Sequence, residues 1–102
     1  MDEERERFFS RLATIPGLRT MPSIGAWILV EVDNPAEIAR KVNRRLSPGT
    51  VSVPRNVPGA IRLPVRDPKA NEALFQAIRD LLYRKARTRY FQELRQVSLA
   101  AK

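Results

Sequence analysis

The sequence predicts an α+β sandwich, with helices on one face of a small mixed sheet and a long helix at the C-terminus. Three observations carry that expectation. Apolar residues recur at three- and four-residue spacing in three separate segments, the signature of helices with one buried face. Short runs rich in β-branched residues lie between them, bounded by Pro-Gly pairs. No Gly or Pro interrupts residues 69–102. At 102 residues the chain suits one core with a short appendage. The predicted order is α-β-α-β-β-α.

The first helix is expected over 3–14, where Phe8, Phe9, Leu12 and Ala13 share a face and acids crowd the first turn. Pro16-Gly17 ends it. Ser23 to Val32 holds Ile24, Trp27, Ile28, Leu29 and Val30, too short for a core helix and rich in strand formers. It reads as a central strand buried on both sides, with Trp27 in the core. Asp33 or Asn34 then offers an N-cap, Pro35 a first helical position, and Glu37 falls three residues after Asn34, the spacing of a capping box. Ile38, Ala39, Val42 and Leu46 form the apolar face of that second helix, which Pro48-Gly49 closes. Two short strands follow, Thr50–Val53 and Ala60–Val65, each limited by a proline. Asp67 caps the last helix and Pro68 opens it. Its stripe runs Leu74, Ile78, Leu82, Ala86, Tyr90, Leu94 and Val97.

Composition excludes much chemistry. Neither Cys nor His occurs, which removes disulfides, thiol catalysis, Cys/His zinc sites and any Ser-His or Cys-His nucleophile. No metal ligand set is expected. No apolar run approaches the roughly 18–20 residues of a spanning helix. The acidic start, Asp2-Glu3-Glu4-Arg5-Glu6-Arg7, is the reverse of a secretion signal, so cytoplasm is the expected compartment. The formal charge is +8, with Arg outnumbering Lys 15 to 4. Residues 79–102 hold a net +5 of it. The chain therefore divides into a folded part, 1–83, and a basic helical extension, 84–102.

The glycine turns lack phosphate-loop spacing and read as turn punctuation. The carboxylates show no paired acid–base arrangement. Two sets of residues remain. Arg62 and Arg66 lie four apart on the predicted last strand, so alternation points both toward the open face of the sheet, where two guanidinium groups would form an anion site. Arg84, Lys85, Arg87 and Arg89 interleave with Tyr83, Tyr90 and Phe91. That mixture is found on RNA-stacking surfaces and equally on helices with an apolar stripe and a solvated basic face.

Two stretches resemble a known family. Leu12 to Val32, with Pro16-Gly17-Leu18, Pro22-Ser23 and Ala26-Trp27, resembles the approach to the C-terminal small domain of fold-type I pyridoxal-phosphate aminotransferases. Gly59-Ala60-Ile61-Arg62-Leu63-Pro64-Val65-Arg66-Asp67-Pro68 and the segment on to Leu82 resemble its closing strand and helix in the histidinol-phosphate aminotransferase and threonine-phosphate decarboxylase branch. The resemblance covers residues 8–83. It implies that Arg62 holds a substrate carboxylate and Arg55 a substrate phosphate. The family's Schiff-base Lys, its pyridine-pairing Asp and its phosphate cup belong to a large domain with no counterpart here, and Ala26 replaces an Asn.

The expected function is that of a non-catalytic, stand-alone module of this small-domain type. It would bind an anionic ligand at Arg55, Arg62 and Arg66, or a partner protein. It would hold no cofactor alone, pyridoxal phosphate entering only by pairing with a large domain as one part of a split enzyme. The alternative is a basic nucleic-acid-associated module acting through its C-terminal helix. Residues 84–99 are expected to mediate self-association or capture a partner, and no membrane is expected to be one.

Overall fold

The computed structural model describes residues 2–21 and 25–100. Helix α1 spans Asp2–Leu12, strand β1 Arg19–Met21, strand β2 Trp27–Glu31, helix α2 Pro35–Arg45, strand β3 Ala60–Pro64 and helix α3 Pro68–Ala100. The fold is α+β with a long C-terminal helix, as expected. Its order is α-β-β-α-β-α, however, and the sheet β1-β2-β3 is antiparallel throughout rather than mixed.

The core lies where period two and period 3.6 meet. Ile28 pairs with Leu63 and Val30 with Ile61 across β2 and β3, and all four are fully buried. The helices cover that face with Phe8 and Leu12 from α1, Ile38 and Val42 from α2, and Leu74, Phe75 and Ile78 from α3. The alternate residues, Trp27, Leu29, Glu31 and Arg62, belong to the other face. So β2 is central but buried on one side only. Trp27 is 41% exposed, not a core residue. The expected beginning of this strand at Ser23 lies outside the described residues.

Two local departures have physical causes. Thr50–Val53 is not a strand, because Val51 satisfies its backbone elsewhere. Its N–H donates to Asn43 Oδ1 at 2.7 Å and its C=O accepts from Asn43 Nδ2 at 2.9 Å. Pro54 has no N–H to continue a ladder. A single bridge remains, Ser52 with Arg62. Strand β1, by contrast, is too short to show a period in sequence. Antiparallel pairing of β2 with β3 follows from the return path. Helix α2 leads away from the end of β2, and segment 46–59 returns to it, where Val32 N–H donates to Gly59 C=O at 2.9 Å.

The caps differ in kind. Asn34 takes a left-handed conformation with φ 55° and makes no side-chain cap bond, so the expected capping box is absent. Asp67 does cap, its Oδ1 accepting from Ala70 N–H at 2.7 Å. Asn71, 1% exposed, ties three elements together. Its amide oxygen accepts from Arg66 N–H at 2.8 Å, and its Nδ2 donates to Arg66 C=O and to Glu4 Oε2 on α1. Among the described residues, no helix is long and apolar enough to cross a membrane.

Candidate basic groove

Helix α3 is 33 residues long, about 50 Å at 1.5 Å per residue, in a molecule whose extents are 57 × 27 × 25 Å. Its first third is core. Beyond Leu82 it outruns the sheet. Residues Ala77, Asp80, Leu81, Arg84, Lys85, Thr88, Arg89 and Gln92 repeat at alternating intervals of three and one, which places them along one side of the helix. They face the C-terminal half of α2 across a groove of about 590 Å³.

Both walls of the groove are basic. Lys41, Arg44 and Arg45 come from α2, and Arg84, Lys85 and Arg89 from α3. Val42, Ala77 and Leu81 supply its apolar part. Two cross-helix ion pairs hold the walls together: Arg45 with Asp80 at 3.0 Å, and Lys85 with Glu37 at 3.3 Å. Glu37 also takes Lys41 at 2.9 Å. Hydrogen bonds from Lys41 and then Lys85 hold its carboxyl below the usual carboxylate range. Asp80 is lowered in the same way, chiefly by Arg45. Both acids are therefore spent on the framework. Arg44, Arg84 and Arg89 have no ion pair among the described residues.

The residues singled out from sequence fall into three places. Arg62 does stand on the open sheet face, but its guanidinium carbon lies 4.5 Å above the Trp27 ring centre and its Nε donates to Ser52 Oγ at 3.2 Å. Arg66 lies beyond the end of β3, where its backbone is bound into the Asn71 cap. It lines a small cleft with Leu46, Ser47 and Thr50. Arg55 is exposed in the turn between Pro54 and Gly59. The neighbours of Arg62 and of Arg66 are different residues, so strand alternation does not unite them. The cap turns the chain out of the sheet before Arg66 is reached.

Arg84, Lys85 and Arg89 do converge, together with three α2 cations that the sequence reading did not single out. Their signal was the i, i+3, i+4 spacing of Lys41, Arg44 and Arg45, but no sequence distance says which helix they will face. Arg87, Tyr90 and Phe91 lie off the groove, on the projecting part of α3. Tyr90 is 58% and Phe91 54% exposed. The two rings meet edge to face at 5.9 Å, and Arg87 lies over Phe91 at 5.6 Å. Among the described residues, no group of three or more acids is placed to hold a metal ion. No known protein family matches the chain, and no curated protein is significantly similar to it.

Proposed function

We propose that this chain is a non-catalytic binding module which holds a phosphate-bearing polyanion in the groove between α2 and α3. One observation carries the reading: six cations line two facing walls, and three of them have no ion pair among the described residues. Arginine is suited to this task, because its planar fork offers paired donors to phosphate oxygens. The apolar part formed by Val42, Ala77 and Leu81 lowers the local dielectric and so strengthens each contact. Arg62 is a poorer anion ligand than the aminotransferase resemblance implies, since Trp27 and Ser52 already engage it. On this reading the chain has no cofactor of its own. Pyridoxal phosphate would come in only with a separate large domain.

Titration of the isotope-labelled full chain with sodium tripolyphosphate tests the proposal. Amide shifts should concentrate at 41–45 and 80–92. The Arg44→Ala, Arg84→Ala and Arg89→Ala variants should each weaken binding. Shifts confined to 55–66, or no shifts at all, would overturn it. A second reading, docking of a protein chain along 84–99, is favoured by the exposure of Tyr83, Tyr90, Phe91 and Leu94.

A further inference from the structure

We infer that Glu37 is a built-in competitor for the groove: its carboxylate fills an anion seat between Lys41 and Lys85, and an arriving phosphate sends it back to the N-terminus of α2. The inference rests on the groove reading and deepens it by naming what regulates the site. One oxygen of Glu37 lies 2.9 Å from the Lys41 ammonium on α2, and the other lies 3.3 Å from the Lys85 ammonium on α3. A single oxyanion therefore already spans the two walls. A phosphoryl group also offers two oxygens on one atom, so it can take the same place without the walls moving apart.

This contact can be exchanged at little cost. The side chains of Glu37, Lys41 and Lys85 are 35%, 40% and 32% exposed, and ion pairs so open to water hold weakly. Lysine is a compact, strongly hydrated charge on a flexible stem, and it changes partners more readily than a forked guanidinium. Asp80, the other acid of the groove, is placed differently. It sits within α3 between Arg45 at 3.0 Å and Arg79 at 3.4 Å, in a stretch whose backbone N–H groups are bonded within the helix.

Glu37 has somewhere else to go. It is the third residue of α2, which begins at Pro35 after Asn34. A glutamate at that position can accept from the backbone N–H of the N-cap residue, its half of a capping box. Here Asn34 makes no side-chain cap bond, and Glu37 reaches along the helix to Lys41 and across to Lys85 instead. The missing capping box and the filled anion seat are thus one choice made by one side chain. Released from the seat, Glu37 meets the unbonded N–H groups and the positive end of the α2 dipole. That offsets part of what it gives up, and two ammonium groups are freed to join Arg44, Arg84 and Arg89 around the ligand.

The test compares the full chain with Glu37→Gln, which keeps the shape and removes the charge, by calorimetric and NMR titration with tripolyphosphate. The variant should bind about 2-fold to 30-fold tighter, the equivalent of two exposed ion pairs that no longer have to be broken. Glu6→Gln makes the same change of net charge on α1, which does not line the groove, and should leave the affinity unchanged at physiological salt. Lys85→Gln should cost more affinity in the Glu37→Gln background than in the wild type, because Glu37 masks that ammonium only in the wild type. Tripolyphosphate should also shift the wild-type Asn34 amide as Glu37 reaches it. In Glu37→Gln the glutamine can take that cap beforehand, so the shift should vanish. Equal or weaker binding by Glu37→Gln, equal tightening by Glu6→Gln, or an unmoved Asn34 amide overturns the inference and, with the groove amides shifting, leaves the polyanion reading standing. If the groove amides of neither protein respond to tripolyphosphate, both readings fall.

Discussion

Asn71→Ala should destabilise the fold more than its single polar side chain suggests. Asn71 is 1% exposed and makes three hydrogen bonds, to Arg66 N–H, Arg66 C=O and Glu4. The two backbone bonds contribute about 1 kcal/mol each, and stranding the part-buried Arg66 N–H costs about 1 kcal/mol more. The expected loss is therefore about 3 kcal/mol before the Glu4 contact is considered, against a total of about 5–15 kcal/mol for a domain. Urea unfolding followed by Trp27 fluorescence should show the midpoint falling by about 1–3 M at an m-value of about 1–3 kcal/mol/M. Asn71→Asp keeps the acceptor for Arg66 N–H but sets a carboxylate beside Glu4. It should be destabilised at neutral pH and recover as the pH falls. A loss below about 1 kcal/mol in Asn71→Ala, or an aspartate variant insensitive to pH, would refute the role given to this side chain.

The Arg7 bond, then the Asn71 bond, lowers the Glu4 pKa to about 2 from an ordinary 4.5. The stability this confers is present above pH 4.5 and lost as the pH falls toward 2, so Glu4→Gln should flatten the acid limb of a stability–pH profile. Ile78→Ala, at a fully buried position under the sheet, should lose about 2–5 kcal/mol in the same urea assay. Gly59 sits at φ 81° where the chain turns into β3, so Gly59→Ala should lose about 1–2 kcal/mol through backbone strain. Ending the chain after Tyr83 should leave the near-ultraviolet spectrum and thermal midpoint almost unchanged while reducing tripolyphosphate affinity.

Where a pattern repeats over several turns, the sequence was readable. The stripe Leu74, Ile78 and Leu82, the Asp67-Pro68 start and the Pro35 start all appear where the residues predict them. Strand β1 was missed because three residues cannot show a period. Thr50–Val53 was misread because Asn43, on α2, takes over the backbone of Val51, and no local rule reveals a side chain seven or more residues away. Trp27 looked like core among Ile28, Leu29 and Val30. Alternation alone decides its face, and the register with Pro64 sets it on the open side. The groove was half visible. Arg84, Lys85 and Arg89 stood out by charge density, whereas Lys41, Arg44 and Arg45 gain meaning only once α2 packs on α3. Arg62 and Arg66 failed as a pair because Asn71 binds the backbone between strand and helix.

Because α3 is one uninterrupted helix, its outer part never has to start for itself. Nucleating a helix is costly, by a factor of about 10³, whereas extending one adds a bond for each residue fixed. Here Leu74, Phe75 and Ile78, locked in the core, act as the permanent nucleus for everything after Leu82. Order along residues 84–100 should then fade gradually from the sheet outward rather than break at one point, and amide exchange should quicken in the same sequence. Heating shortens this arm from its free end well before the core gives way. The reach of the molecule is thus a graded function of temperature.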